Sequence, residues 1–157
     1  MKSVKIAFIA LIATILCATA SFAQSSSYRT ASNTTTDFGN QLSYAYVKSM
    51  MSQEGYTLAS DDYFTITEGA IKFKNRTLYS GNEYVFIVLP LEGGVNDLDL
   101  SLYDAYGNLI KQDNDSQSVA MFSYDSWSQR NVQIKVKNYD SNSNTYPYDC
   151  RLLVYYK

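Results

Sequence analysis

Histidine is absent from this 157-residue chain. Its absence removes the usual general base near neutral pH, the Ser-His and Cys-His nucleophile systems, and imidazole zinc sites. Cysteine is scarce, with only Cys17 and Cys150. If Cys17 leaves with a cleaved leader, no intrachain disulfide can form. Cys150 alternates with Leu152, Val154 and Tyr156 on one strand face, so it reads as a buried structural residue and not a reactive thiol. Cations are few and scattered: 13 Lys and Arg stand against 15 Asp and Glu, and no stretch forms a basic stripe. That argues against nucleic acid as a partner. No Gly-rich phosphate loop occurs, which argues against nucleotides.

Long apolar runs are missing too, apart from Ile6–Leu16 behind the basic start of Lys2 and Lys5. That run is too short for a membrane span, and the small residues Ser21-Phe22-Ala23 end it. The pattern predicts a secretory signal peptide over 1–23, placing the mature chain outside the cytoplasm, secreted or periplasmic, with no transmembrane segment. Leu16 is too large for lipoprotein processing at Cys17. Cleavage after Ala23 leaves 134 of the 157 residues, a suitable length for one domain. Losing two of the 13 cations leaves 11 against 15 acids, a net charge of about −4.

What remains divides in two. Residues 24–36 (QSSSYRTASNTTT) are polar and predict a flexible leader. Residues 37–157 predict a single domain. Its first element is a helix capped by Asp37, running to about Gln53 and stopped at Gly55, with Phe38, Leu42, Tyr46 or Val47, and Met50 or Met51 at helical spacing. Only Lys48 makes it basic, so packing on the protein's own sheet is preferred over membrane docking. From Tyr56 the period becomes two. Ile71 and Phe73 alternate with Lys72 and Lys74. Tyr84, Phe86 and Val88 follow, then Leu98, Leu100 and Leu102, Ala120 and Phe122, Val132, Ile134 and Val136, and finally Cys150–Tyr156. Gly and Asn clusters separate the runs. This predicts a mainly β fold, an antiparallel sandwich of seven or eight strands with one N-terminal helix.

Residues 80–115, SGNEYVFIVLPLEGGVNDLDLSLYDAYGNLIKQDND, resemble the bacterial pre-peptidase C-terminal domain. The Gly-x-x-Tyr strand, the Asp-Leu-Asp-Leu strand ending in Tyr-Asp, the Gly-Asn turn and the Asp after it carry the likeness. VQIKVKNYD and YDCRLLVYY are similar to that family's last two strands, so the resemblance spans about 56–157. It implies a jelly-roll-like sandwich of the kind that accompanies secreted proteins, with calcium or matrix polymers as ligands in some relatives. With a single domain expected in 37–157, no attached enzyme domain is expected here.

Two clusters attract functional readings. Asp97 and Asp99 share one strand face, about 7 Å apart, a spacing that carboxylate hydrolysis permits. An exposed strand face does not supply the raised pKa and the cleft that such chemistry needs, so a non-enzyme is preferred. Asp97, Asp99, Asp113 and Asp115 would instead form a calcium site if the hairpin through Gly107-Asn108 gathered them, with Asn96, Asn108 and Asn114 adding carbonyl oxygens. A solvated acidic edge competes with that reading and accounts for the alternation by itself. Otherwise no cofactor is expected. Aromatics form the second cluster. Of the 15 tyrosines, Tyr124, Tyr146 and Tyr148 lie near turns, as does Trp127, and these four are the candidate contacts to a protein or polysaccharide surface. For Trp127 a competing role, folding back over one end of the sandwich, is slightly preferred.

Overall fold

The computed structural model describes residues 32–157, with side chains from residue 43 onward. The expected signal peptide and most of the expected leader lie outside the described residues. Helix α1 spans Ser32–Gln53, so it takes in 32–36 and places Asp37 within the helix instead of at its cap. No Gly or Pro between Ser32 and Asp37 stops the helix from extending, and Ser is itself a favoured first residue. The far end behaves as expected. Gly55 adopts φ 79°, the Gly55 N–H donates to Ser52 and the Tyr56 N–H to Met51, which satisfies the last carbonyls.

Eight strands follow: β1 Thr57–Ile66, β2 Ile71–Leu78, β3 Asn82–Pro90, β4 Val95–Asp104, β5 Leu109–Asp113, β6 Ala120–Ser126, β7 Arg130–Ser141 and β8 Tyr148–Tyr156. They form two four-stranded sheets in the orders β1-β8-β3-β6 and β2-β7-β4-β5, with antiparallel pairing throughout. Eight strands wound into two sheets in this order make a jelly roll. The core lies between the sheets and includes Phe86, Leu98, Leu100, Leu102, Val132, Ile134, Val136 and Val154, the residues expected there from alternation.

The chain adds a third layer. Val47 and Met51 of α1 are buried on the far face of the first sheet, against Val85, Ile87, Leu89, Met121, Leu153 and Tyr155. Of the helical alternatives, Val47 and Met51 are therefore the inward pair, and Tyr46 is exposed. Because both faces of β3 are covered, its run from Tyr84 to Pro90 is buried without interruption.

Strand β2 departs from the expected alternation. Its register pairs Lys72 with Val136, Lys74 with Ile134 and Arg76 with Val132, so the cations share the inward face. Ile71 and Phe73 lie opposite Lys137 and Lys135 and are exposed. The physical reason is position. β2 is an edge strand at the open margin of the sandwich, where long side chains turned inward bring their charged ends out to solvent and discourage further strand pairing. Lys74 and Arg76 both bridge to Asp62 on the facing edge strand, at 2.7 and 2.8 Å.

Candidate functional site: an aromatic end of the jelly roll

The antiparallel winding sends the β2–β3, β4–β5 and β6–β7 connections to one end of the sandwich. Each carries one exposed aromatic side chain: Tyr79 at 59%, Tyr106 at 91% and Trp127 at 85% of full exposure. The three loops belong to neighbouring strands. Leu78 pairs with Arg130 across β2 and β7, and Asp104 pairs with Val132 across β4 and β7. Two strand spacings, about 10 Å, therefore separate the Tyr79 and Tyr106 loops across the sheet.

Local hydrogen bonds hold each loop. Asp104 accepts from the backbone N–H groups of Tyr106 and Asn108 at 2.9 and 2.8 Å, and its second oxygen accepts from the Asn108 amide. Those bonds from Asn108 and Tyr106 hold the Asp104 carboxyl below its ordinary pKa. The Tyr84 hydroxyl accepts from the Tyr79 N–H at 2.9 Å. Ser126 is buried, donates through Oγ to the Ser128 carbonyl at 3.0 Å, and accepts at its own carbonyl from the Gly81 N–H at 2.8 Å. That last bond ties the Tyr79 loop to the Trp127 loop. Arg130 stacks 5.9 Å from the Tyr124 ring and reaches Ser128 Oγ. The outward aromatics thus project from fixed backbones, which lowers the ordering cost of binding.

Of the four aromatic candidates, Trp127 stands free of the sandwich, which overturns the fold-back role. Tyr124 is half-buried and packs against the core. Tyr146 and Tyr148 lie at the opposite end, because β8 starts where β6 does. Tyr146 is exposed, donates to Glu92 at 3.1 Å and meets Tyr148 edge-on at 4.8 Å. Tyr148 corrects an expectation: it is 4% exposed and belongs to the core. Its ring lies over Gly94, which has φ 112° and where an added Cβ would approach to 2.7 Å. Tyr79 and Tyr106 were not among the candidates, although the same signal, a turn directly after the ring in Ser80-Gly81 and Gly107-Asn108, was there to be read.

The acidic quartet is not gathered. The β4–β5 register sets Asp113 opposite Leu100, on the inward side, where its carboxylate accepts from the Met121 N–H at 2.7 Å and the Asp115 N–H at 3.3 Å. Asp99 lies opposite Lys137 on the outward face. Among the described residues no group of three or more Cys, Asp or Glu is arranged to hold a metal ion. The register, fixed by the short turn at Gly107, turns Asp113 to the opposite face from Asp99. Partial burial, together with the charges of Asp99 and Asp140, raises the Asp97 pKa, and its Oδ1 is buried without a hydrogen bond.

Cys150 is fully buried, and burial pushes its thiol up to about 12, as befits a packing residue. The cations of the β2–β7 pair are divided between the two faces of their sheet: Lys72, Lys74 and Arg76 point inward, Lys135 and Lys137 outward. No helix among the described residues is long and apolar enough to cross a membrane. No known protein-family model matches the chain, and neither does any curated protein sequence.

Proposed function

We propose that this chain is a secreted or periplasmic, non-catalytic binding module that grips a protein or polysaccharide surface with the aromatic end of its jelly roll. One observation carries the reading: three exposed aromatic rings project from three adjacent loops, each braced by its own hydrogen bonds. Exposed aromatics on rigid backbones supply large contact area at low entropic cost, and they recur as the anchors of binding surfaces. Asn82, Asn108 and Arg130 lie in or beside the same loops and offer donors for orientation. The likeness of 56–157 to pre-peptidase C-terminal domains points the same way.

The test is capture on arrayed glycans and extracellular proteins by the purified chain and by Trp127→Ala and Tyr106→Ala. Both substitutions are expected to abolish capture while thermal stability changes by less than about 0.5 kcal/mol, the usual limit at exposed sites. Capture unchanged in both variants would overturn the proposal. The alternative is a secreted hydrolase using the Asp97 to Asp115 carboxylates, and it draws on the raised pKa of Asp97 beside Asp99. Turnover of a glycan or peptide that disappears in Asp99→Asn would establish it.

A further inference from the structure

Most exposed aromatic rings of this chain are already covered on one side. Tyr63 lies under Arg151, Tyr139 under Lys137, Tyr146 against Tyr148 and Tyr156 against Tyr84. Tyr79, Tyr106 and Trp127 are different. Among the described residues no aromatic ring and no cation stacks on any of the three. Their neighbours in the loops are small or polar: Ser80 and Gly81 follow Tyr79, Gly107 and Asn108 follow Tyr106, and Ser128 and Gln129 follow Trp127. No Val, Leu, Ile or Met lies within loops 79–81, 105–108 and 127–129. Each ring therefore stands as a separate open platform in polar surroundings.

We infer that the ligand of this end is an uncharged polysaccharide, bound as a chain whose sugar rings stack on Tyr79, Tyr106 and Trp127. The inference rests on the binding role proposed above and chooses between its two partner classes. A sugar ring presents C–H groups on its face and hydroxyls around its rim. A flat aromatic side chain takes the face, and groups that both donate and accept, such as the side chains of Asn108, Ser128 and Gln129, suit the rim. A protein partner calls instead for a packed apolar centre that its surroundings seal from water, and isolated rings among small polar residues do not supply one. Charge selects the uncharged polymer. In the loops and the residues directly flanking them, 78–82, 104–109 and 126–130, the charged residues are Asp104 and Arg130, one of each sign. No cationic patch is there to draw uronate or sulfate groups. Span selects a chain, because the Tyr79 and Tyr106 loops are about 10 Å apart, farther than one sugar ring reaches.

Affinity electrophoresis of the purified protein in gels containing hydroxyethylcellulose, xyloglucan, galactomannan or soluble starch tests uncharged chains, with alginate as the anionic control. Retardation in at least one uncharged polymer and none in alginate is expected. Oligosaccharides cut from that polymer should bind more tightly as they lengthen, by about tenfold or more from two units to six. Tyr79→Ala, Tyr106→Ala and Trp127→Ala should each weaken binding by about tenfold at unchanged melting temperature, the scale of one flat ring stacked on an aromatic side chain. Retardation in alginate, retardation in none of the polymers, or affinity independent of length would each overturn the inference. In that event, Trp127-dependent capture of an extracellular protein would leave the binding role standing with a protein partner. Capture of neither kind that depends on Trp127 would end both.

Discussion

At the scale of single residues, Asp97 shows how an outward position can still carry a cost. Partial burial and the nearby carboxylates of Asp99 and Asp140 raise its folded pKa. A carboxyl whose pKa is higher in the folded state destabilises the fold once ionised, and acidification relieves that cost. Asp97→Asn is therefore expected to raise the melting temperature at neutral pH, with the gain shrinking as pH falls toward the ordinary carboxylate value, about 3.9. Millimolar calcium or a chelator should leave the wild-type melting temperature unchanged, because Asp113 is held by the Met121 N–H and is not free to join Asp97. Calcium that raised the melting temperature, with the rise lost in Asp97→Asn, would return the metal reading. The sequence showed which face of its strand Asp97 occupies. It could not show the absence of a partner for Oδ1, which depends on strands forty residues away.

At the scale of elements, β4 and β2 make a matched contrast. Both alternate, yet the apolar set of β4 is buried and that of β2 is exposed. Leu100→Ala is expected to cost about 2–5 kcal/mol in chemical denaturation, as a core truncation does. Phe73→Ala should stay within about 0.5 kcal/mol. A large loss at Phe73 would mean that β2 sits in the opposite register from the one described. Alternation by itself reports that two faces differ and is silent on which face meets the core. β4 was legible because Leu98, Leu100 and Leu102 face three Asp and Ser residues. β2 was not, because lysine stems can cover apolar surface while their charges stay wet. β1 is less regular still. Its adjacent Asp61 and Asp62 point to opposite faces, one toward α1 and one toward β2, and each finds cations there.

At the scale of the molecule, the helix is held to the outer sheet by apolar contact and by one shared carboxylate. Asp61 accepts from the Tyr44 hydroxyl, from Lys48 at 3.3 Å and from Arg151 at 2.9 Å. Arg151 also lies over the rings of Tyr44 and Tyr63. Burial favours the neutral acid, but the hydrogen bonds from Tyr44 and Lys48 and the Arg151 charge outweigh it and lower the Asp61 pKa. A carboxyl with a lowered folded pKa contributes stability above its unfolded value, about 3.9, and loses it as pH drops through the folded value. Melting temperature measured against pH should therefore fall on the acid side, and the fall should be smaller in Asp61→Asn, which starts from lower stability at neutral pH. Identical acid profiles for the two proteins would show that Asp61 does not hold the helix. Tyr44, Lys48 and Asp61 carry no sequence signature as a set, because a helix and a strand from different layers supply them.

What the sequence determined by itself was local: the change of period from helical to two-residue near Tyr56, the turns at glycine, the Leu98–Leu102 face, and the exclusion of histidine chemistry. Steric limits and side-chain alternation act over a few residues, so a linear reading reaches them. The tertiary structure decided everything that needed two distant segments at once. It chose the inward face of β2, covered β3 with a helix, buried Tyr148 over Gly94, and turned Asp113 away from the face that carries Asp99. It also assembled the aromatic end from three separate loops. Each of these is set by register and layer packing, and such contacts depend on which strands become neighbours, which no short stretch of residues specifies.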